Sequence, residues 1–320
     1  MFTMGIVGLG AWGKKIVSSV QGTSDVVTFK SAATRTPANA QEFADEKGVA
    51  LGSDIGAVIN DPDIDGVVIC SPAHDHVSQA TAALNAGKHV QVIKPLSVTK
   101  ADAESLFEIA DRNGVTLAVS YERCFLPAAD EFRKRVKSGA LGQIVHVEGA
   151  YCAARYLSMK NGFWKTDRAI APPGALADHI LYMMIELIGP VTELEAHGRK
   201  QVMDFSVSDT STVRLVLDGG VSGLLTAIGV TPAFTRLHFF GTEGSLEFRG
   251  ARQIEFTPAK GPTEIIELPE TDPLTEQTES FARSIRNGET YPISRENAIA
   301  GVAAVEAMAR STEAGGVVSL

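Results

Sequence analysis

The strongest structural signal in the sequence is Met4-Gly5-Ile6-Val7-Gly8-Leu9-Gly10-Ala11-Trp12-Gly13, an apolar run that leads into a glycine-rich turn. The apolar part predicts a buried strand, and the residues from Lys14 onward predict a helix. Between them, the Gly-x-Gly-x-x-Gly spacing gives each glycine a separate task. Gly8 permits a tight turn, Gly10 lets the backbone approach a pyrophosphate, and Gly13 permits close packing of the helix on the strand. We therefore predict a dinucleotide-binding turn at residues 8–13.

The start of that helix and the end of the next strand indicate which dinucleotide binds. Ala11 and Trp12 come just before this helix, and the N–H groups at its N-terminus are available to an anion. An NAD site usually places an acidic residue at the end of the second strand, where it accepts hydrogen bonds from the ribose. This chain has Thr34, Arg35 and Thr36 there. These side chains can donate to a 2′-phosphate, which favours NADP over NAD. If Arg35 is only a solvated loop charge, either cofactor can bind.

The first 119 residues alternate short apolar runs with longer helical patterns. The predicted strands are Met4–Val7, Val26–Ala33, Gly66–Cys70, His89–Ile93 and Thr116–Val119, and the predicted helices between them include Ala38–Lys47, His76–Ala86 and Lys100–Asn113. Alternation of this kind is typical of parallel strands joined by helices. We predict an α/β fold whose first domain, residues 1–120, is a doubly wound parallel sheet of the Rossmann type.

A different pattern begins after Tyr121. The predicted elements are helices at Pro127–Ser138 and Leu176–Ile188, a strand at Gln143–Ala153, and strands at Thr212–Leu217, Val221–Ile228, Arg236–Phe240, Ser245–Phe248, Gln253–Phe256 and Glu264–Leu268. Turns such as Asp218-Gly219-Gly220 join the later strands and indicate antiparallel hairpins. We predict a second domain over residues 121–293, and we expect a last helix, at about 294–312, to pack back on the first domain.

Composition and charge argue against several classes of protein. The chain has 38 acidic against 29 basic residues, a net charge of −9, which disfavours a nucleic-acid-binding protein. No apolar run approaches the roughly 18 residues that cross a membrane. Cys70, Cys124 and Cys152 are odd in number and lack metal-site spacing, which fits a reducing compartment. We expect a cytoplasmic protein with no metal and no membrane partner.

The exit of the strand Gly66–Cys70 carries a polar group of residues. Ser71 and Pro72 stand at the carboxyl end of that strand, where the ligands of open α/β sheets collect, so both are expected to contact the cofactor. His76 is expected early in the next helix, near the nicotinamide side. His74-Asp75-His76 suggests a metal only superficially, because no further ligand cluster has suitable spacing.

Lys94 follows another apolar strand and precedes Pro95, which restricts its backbone. At that position the ammonium can reach the cofactor cleft, orient a substrate hydroxyl and stabilise a developing alkoxide or carbonyl oxygen. The alternative is a surface lysine that merely follows a strand.

The order of these motifs resembles the Gfo/Idh/MocA family of NAD(P)-dependent oxidoreductases. The resemblance rests on the glycine motif, Ser71-Pro72-x-x-x-His76, Ala86-Gly87-Lys88-His89-Val90 and Lys94-Pro95, with later landmarks at Gly139–Ile144, Phe163-Trp164-Lys165 and Ser294-Arg295-Glu296. It covers nearly the whole chain. It implies a Rossmann domain followed by an α/β domain with a large open, mainly antiparallel sheet, and hydride transfer to or from a sugar, cyclic polyol or sugar derivative.

In family members, the lysine of a Glu-Lys-Pro motif and a histidine on the central helix of the second domain act on the substrate. Here Ile93 stands in place of the glutamate. Counting back from the helix end at Gly189-Pro190 aligns His179 with the family histidine, and counting forward from Phe163-Trp164 places Tyr182 there. The first alignment needs no deletion inside a packed helix, so it is preferred. Tyr182 stays a candidate because residues i and i+3 share a helix face.

The resemblance implies that His179, with or without Tyr182, exchanges the hydroxyl proton and that Lys94 holds the reacting oxygen. Ala175 replaces an aspartate of the family motif. Candidate substrate contacts are Arg123, Tyr151, Arg155, Trp164, Lys165, Arg168 and Asp178.

Two other functions stay open at this level. One is an NAD-dependent glycosidase that oxidises its substrate transiently and then eliminates the aglycone. The other is a non-catalytic cofactor-binding regulator, suggested by Ile93 and the altered helix motif. The family also implies a homodimer or homotetramer formed through the open sheet.

Overall fold

A computed structural model describes residues 1–167 and 175–320. In chain order, the helices are α1 (Ala11–Val20), α2 (Gln41–Lys47), α3 (Ile55–Ile59), α4 (His76–Asn85), α5 (Lys100–Asn113), α6 (Pro127–Lys137), α7 (Asp178–Ile188), α8 (Pro273–Asn287) and α9 (Arg295–Ala314). The strands are β1 (Phe2–Val7), β2 (Val27–Ala33), β3 (Ala50–Gly52), β4 (Gly66–Ile69), β5 (His89–Ile93), β6 (Leu117–Ser120), β7 (Ile144–Cys152), β8 (Val191–Arg199), β9 (Thr210–Leu217), β10 (Ser222–Ile228), β11 (Phe234–Gly241), β12 (Gly244–Arg249), β13 (Gln253–Pro258), β14 (Glu264–Glu267) and β15 (Val317–Ser319).

The chain forms two compact units. The first contains Met1–Glu122 and Asp272–Arg295, and the second contains Arg123–Thr271 and Glu296–Leu320.

The first unit is built on a parallel sheet with strand order β3-β2-β1-β4-β5-β6. Its central strands are apolar because helices cover both faces; all four residues of β4 are buried. The order reverses between β1 and β4, and ligands of such sheets bind outside the carboxyl ends of the strands at that point. The predicted doubly wound parallel sheet is confirmed.

Helix α8 belongs to the first unit, although it follows the second in sequence. Thr275 Oγ1 donates to the carbonyl oxygen of Ser19 in α1 at 2.8 Å. Phe281 meets Phe2 of β1 edge-on, with ring centroids 6.1 Å apart. The apolar face of α8 is therefore buried on α1 and β1.

Helix α9, the element expected at about 294–312 to return to the first domain, lies in the second unit from Glu296 onward. Ser311 Oγ accepts a hydrogen bond from the Ala196 backbone N–H of β8 at 2.8 Å and donates to the Gly316 carbonyl. These hydrogen bonds hold the end of α9 against the edge of the second sheet. Helix α8 is thus grouped with the first unit, and α9 from Glu296 onward with the second.

The second unit is built on a nine-stranded sheet of order β14-β13-β12-β11-β7-β10-β9-β8-β15. Its described pairs are antiparallel except for β7 and β10, so the predicted mainly antiparallel sheet is confirmed. Helix α7 lies close to β7 because Gly149 has no side chain: a Cβ there would come within 2.6 Å of both Ile180 and Met184. That close approach determines where the residues of α7 stand on the sheet.

Candidate active site

The glycine turn after β1 has the geometry that its spacing predicts. Gly8 has a φ of +99°, which favours glycine, and a Cβ there would lie 2.5 Å from the Cys70 backbone. A Cβ on Gly13 would collide with the Gly8 carbonyl oxygen. Gly13 therefore allows the helix to pack on the turn itself rather than mainly on the strand. At Gly10 a Cβ would have no neighbour within 4 Å, so the surface beside it is open to a ligand.

The N-terminus of α1 fits the pyrophosphate of a dinucleotide. Gly10 caps this helix without a side-chain hydrogen bond, and the first turn contains no acidic residue. The first intrahelical N–H is that of Lys14, which donates to the Gly10 carbonyl at 2.9 Å. The preceding N–H groups, on residues 11–13, have no acceptor within the helix and face the position of an incoming anion. The exposed backbone at Gly10 and these donors together suit a bound dinucleotide.

The end of β2 carries cationic and hydroxyl side chains. Arg35 is 77% exposed, and its Nη2 lies 3.3 Å from Asp75 Oδ2. Thr36 Oγ1 accepts a hydrogen bond from Asn39 Nδ2 at 3.3 Å, while Thr34 is partly exposed. Sequence reasoning treated Asp75 only as a metal ligand and missed its contact with Arg35. The signal that could have found it was an acidic residue just beyond β4, the strand that pairs with β1 on the side opposite β2.

His76 is a buried connection between two loops. It is 1% exposed, with Nδ1 2.8 Å from the Pro95 carbonyl oxygen and Nε2 2.9 Å from that of Ser71. Burial lowers the pKa of His76, although the two carbonyl groups act in the opposite direction. The neighbouring Ser71 hydroxyl donates to Gln79 Oε1 at 2.6 Å. His76, expected beside the nicotinamide, is thus enclosed by protein and ties the loop after β4 to the loop that carries Lys94.

Lys94 stands directly after β5 and is partly exposed. Its backbone N–H donates to the Ser120 carbonyl at 3.3 Å. Ile93, which replaces the family glutamate, packs on the apolar core of the first unit. The hydrogen bond from His76 to Pro95 fixes the next residue, so the backbone on both sides of Lys94 is held.

The second unit brings together three residues that the sequence proposed separately. His179, in the first turn of α7, is 4% exposed and stacks on Tyr151 of β7, with ring centroids 5.3 Å apart and planes 26° apart. The Arg123 guanidinium lies 5.2 Å from the centroid of the same Tyr151 ring. Arg123 Nη1 also donates to the Gly250 carbonyl at 3.1 Å, which holds the guanidinium in place. This group is called the His179 stack below and consists of Arg123, Tyr151 and His179.

Tyr182 does not join the His179 stack. It is fully buried, and its hydroxyl interacts with Asn297 of α9 in the interior of the second unit. Burial, with smaller contributions from Cys124 and Glu186, raises the pKa of Tyr182 above its usual value. A phenol in this environment is poorly placed to exchange a substrate proton.

The remaining substrate candidates have different surroundings. Arg155 is exposed, and Lys165 Nζ lies 5.0 Å from the centroid of the Trp164 ring. Asp178 is 2% exposed at the first position of α7, where a carboxylate is favoured by the helix dipole. Arg168 lies outside the described residues.

Lys88, which belongs to one of the motifs, has a structural role. Its Nζ donates to the carbonyl oxygens of Asp61 and Ile64, both at 2.7 Å. These hydrogen bonds connect the segment before β4 to the start of β5.

Over residues 1–167 and 175–320, no three His, Cys, Asp or Glu side chains are grouped so that they could hold a metal ion. In the same part of the chain, none of the helices has the length and apolar character needed to cross a membrane.

Two family models match the chain. The model of an oxidoreductase family with an NAD-binding Rossmann fold, Gfo/Idh/MocA, matches residues 2–121, and the model of the Gfo/Idh/MocA C-terminal domain matches residues 130–247. The chain belongs to the Gfo/Idh/MocA family. The resemblance inferred from the motifs is thus confirmed, and the first unit is the family's NAD(P)-binding Rossmann domain.

Individual relatives extend this comparison. A 4-carboxy-2-hydroxymuconate-6-semialdehyde dehydrogenase of Sphingobium is 29% identical over 55% of this chain and 53% of its own length. The D-xylose 1-dehydrogenase (NADP(+)) 2 of Haloferax volcanii is 26% identical over 99% of this chain and 98% of its own length. The chain spans about half or less of the first curated relatives it matches.

Among solved structures of the Gfo/Idh/MocA fold, an inositol dehydrogenase homolog complexed with NAD+ from Azotobacter vinelandii superposes with a TM-score of 0.90. It is 22% identical, over 100% of this chain and 97% of that structure. At this identity the superposition establishes the shared fold.

Proposed function

We propose that this protein is an NAD(P)-dependent oxidoreductase that transfers hydride between the nicotinamide and a secondary alcohol or ketone of a sugar, cyclic polyol or sugar derivative. The observation that carries the proposal is the His179 stack, a buried and oriented imidazole in a chain whose first unit binds a dinucleotide. Names of relatives such as D-xylose 1-dehydrogenase support a sugar or polyol substrate.

The bound nicotinamide supplies a hydride donor or acceptor at C4. His179 takes the hydroxyl proton when an alcohol is oxidised and returns it when a ketone is reduced, because imidazole exchanges protons near neutral pH. The Lys94 ammonium donates a hydrogen bond to the reacting oxygen and stabilises its negative charge. Tyr151 holds the imidazole in one orientation, and Arg123 packs on the Tyr151 ring. The proposal leaves Tyr182 out of the proton exchange.

NADP is the preferred cofactor in this proposal. Thr34, Arg35 and Thr36 follow β2 with no carboxylate among them, so they suit a 2′-phosphate. The preference is tested by fluorescence titration of NADPH and NADH. Tighter binding of NADPH supports it, and tighter binding of NADH overturns it.

The oxidoreductase activity is tested with a panel of aldoses, ketoses and cyclic polyols, in both directions, by absorbance of the reduced nicotinamide. The key variant is Lys94→Ala, which should leave cofactor affinity within about twofold and lower kcat at least 100-fold. Lys100→Ala is the matched control, since Lys100 is 55% exposed at the start of α5. Unchanged turnover of Lys94→Ala removes Lys94 from the mechanism. Cleavage of a glycoside without net change in the nicotinamide would favour the glycosidase instead.

The outer face of the second sheet is proposed to bind a second copy of the chain, giving a dimer or tetramer. Neighbouring strands align Arg214, Leu224, Glu148, His238 and Glu247 in one row across this face. Leu224, in the middle of the row, is 48% exposed. Light scattering of Leu224→Glu tests the proposal: the variant should have a lower mass than the wild type. A monomeric wild type at micromolar concentration contradicts it.

A cytoplasmic location is proposed on the chemistry of the cysteines. In the described structure no disulfide joins Cys70, Cys124 and Cys152 to one another, as is usual in a reducing compartment. Fractionation of the source cells with an antibody tests this location, and recovery in a secreted fraction would contradict it.

A further inference from the structure

The ion pair between Arg35 and Asp75 joins the ends of two strands. Arg35 is the second residue after β2, and Asp75 lies in the segment between β4 and α4. In the sheet, β2 and β4 are the two neighbours of β1, so the pair spans the carboxyl end of β1, where the glycine turn lies. A carboxylate thus stands beside the guanidinium proposed to receive a 2′-phosphate.

We propose that Asp75 is a specificity-determining residue that opposes NADP by competing with the 2′-phosphate for Arg35. The inference rests on the proposed function, in which Arg35 contacts the cofactor. In this proposal, residues in two loops, one after β2 and one after β4, together determine the preference for NADP over NAD. Asp75 weakens the preference for NADP that results from Thr34, Arg35 and Thr36.

The exposure of the pair supports competition rather than a fixed structural bond. The Arg35 side chain is 77% exposed, the Asp75 side chain is 27% exposed, and a single contact of 3.3 Å joins them. Solvent-exposed ion pairs of this kind are weak, whereas an arginine and a phosphate form a stronger and often bidentate interaction. The phosphate can therefore displace Asp75 from Arg35.

Displacement does not remove the Asp75 charge. Asp75 precedes α4, and its Oδ1 lies 3.5 Å from His74 Nε2, so the carboxylate stays close after it loses Arg35. It then repels a phosphate that carries nearly two negative charges. The adenosine ribose of NADH has an uncharged 2′-hydroxyl at this point, so its binding is almost indifferent to Asp75.

The test measures dissociation constants of NADPH and NADH for the wild type, Asp75→Asn, Arg35→Gln and the double variant, by fluorescence at pH 8. Asp75→Asn should bind NADPH about tenfold tighter in low salt, the factor for a carboxylate roughly 6 Å from a doubly charged phosphate in water. NADH affinity should change by less than about twofold. In roughly 0.5 M salt the gain should shrink to below about twofold, because the charges are screened.

Arg35→Gln shows whether the two residues act together. In that background Asp75→Asn should improve NADPH binding by less than it does beside Arg35, since only direct repulsion is relieved. Asp63→Asn is the matched control, because Asp63 is 76% exposed and precedes the amino end of β4, at the other edge of the sheet. It should leave the ratio of the two affinities unchanged.

The ratio of NADPH to NADH affinity tests the role of Asp75 separately from the proposed function. If Asp75→Asn leaves this ratio unchanged or lowers it, the role of Asp75 is wrong, whichever cofactor the wild type prefers. If neither the wild type nor the variants bind a dinucleotide, the proposed function itself is wrong.

Discussion

Tyr151 and His179 form a stacked pair, with ring centroids 5.3 Å apart and ring planes inclined by 26°. The two residues come from different elements, β7 and α7, and Gly149 allows those elements to approach closely. The sequence motif identifies His179, whereas the orientation of its imidazole depends on a partner 28 residues earlier in the chain.

The Tyr151 ring is predicted to matter more than its hydroxyl. Tyr151→Phe preserves the stack and should keep kcat within about threefold. Tyr151→Ala removes it and should lower kcat about tenfold, because aromatic stacking of this kind is worth roughly 0.5–1.5 kcal/mol. Steady-state kinetics with cofactor titrations distinguish the two variants. Equal losses in both would make Tyr151 a substrate contact through its hydroxyl.

Substitutions of His179 and of Tyr182 are predicted to have very different effects on kcat. His179→Gln should lower kcat by about 100-fold or more while cofactor affinity stays the same, since a general acid-base group is lost. Tyr182→Phe should keep kcat within about twofold and lower the stability of the second unit by about 1 kcal/mol, the usual value of one buried hydrogen bond. The measurement is kcat together with calorimetric unfolding. A full loss of turnover in Tyr182→Phe, with normal stability, would reverse the roles.

Alanine substitutions of two glycines in the same motif are predicted to have different effects, one on cofactor binding and the other on stability. Gly10→Ala meets no neighbour and should leave the free energy of unfolding within about 0.5 kcal/mol of the wild type, while its methyl group obstructs the pyrophosphate and weakens cofactor binding at least tenfold. Gly13→Ala collides with the Gly8 carbonyl and should destabilise the first unit by about 1–3 kcal/mol. Unfolding curves and cofactor titrations test both. Normal cofactor affinity of Gly10→Ala would place the dinucleotide elsewhere.

Asp209 is predicted to contribute to stability in a pH-dependent way. Its carboxylate, 1% exposed, accepts hydrogen bonds from the backbone N–H groups of Gln201, Val202 and Met203. Burial alone would raise the pKa of Asp209, but these donors lower it below its usual 3.8. The unfolded chain therefore takes up the proton first, and the contribution is present above about pH 4 and lost as the pH falls below it.

Calorimetry of the wild type and Asp209→Asn tests this contribution. At pH 7 the variant should be less stable by about 1–3 kcal/mol, because the amide replaces an ionised acceptor. The difference should narrow as the pH falls below about 4, because the wild-type carboxyl then takes up a proton as well. A difference that stays constant from pH 7 to pH 2 would mean that the charge of Asp209 contributes nothing.

The sequence predicted the Rossmann sheet well because its strands are short, apolar and separated by helices. It missed β3, a three-residue edge strand with little apolar character, and β8, whose alternation is hidden by Glu193, Glu195 and His197 on the outer face. Such strands are specified by their neighbours more than by their own composition.

The conformation of the glycine turn was predictable because the motif fixes it, as the positive φ of Gly8 shows, and the role of Lys94 stays a prediction. The candidate site was not predictable where the geometry depends on contacts between distant segments. The pairing of Arg35 with Asp75 and the burial of His76 between two carbonyl groups are of this second kind. The direction of the Tyr182 hydroxyl also depends on α9, more than 100 residues later in the sequence.

The central claim, hydride transfer to a carbon that bears oxygen, is tested most directly with NADPH that carries deuterium at both positions of C4. The purified protein is mixed with this cofactor and a ketose or cyclic ketone that supports turnover, and the product is analysed by NMR and mass spectrometry. The account predicts one deuterium on the new carbinol carbon of each product molecule, and about 100-fold less labelled product with His179→Gln over the same time. Oxidation of the cofactor without deuterium on that carbon, or no oxidation with any compound in the panel, would contradict it.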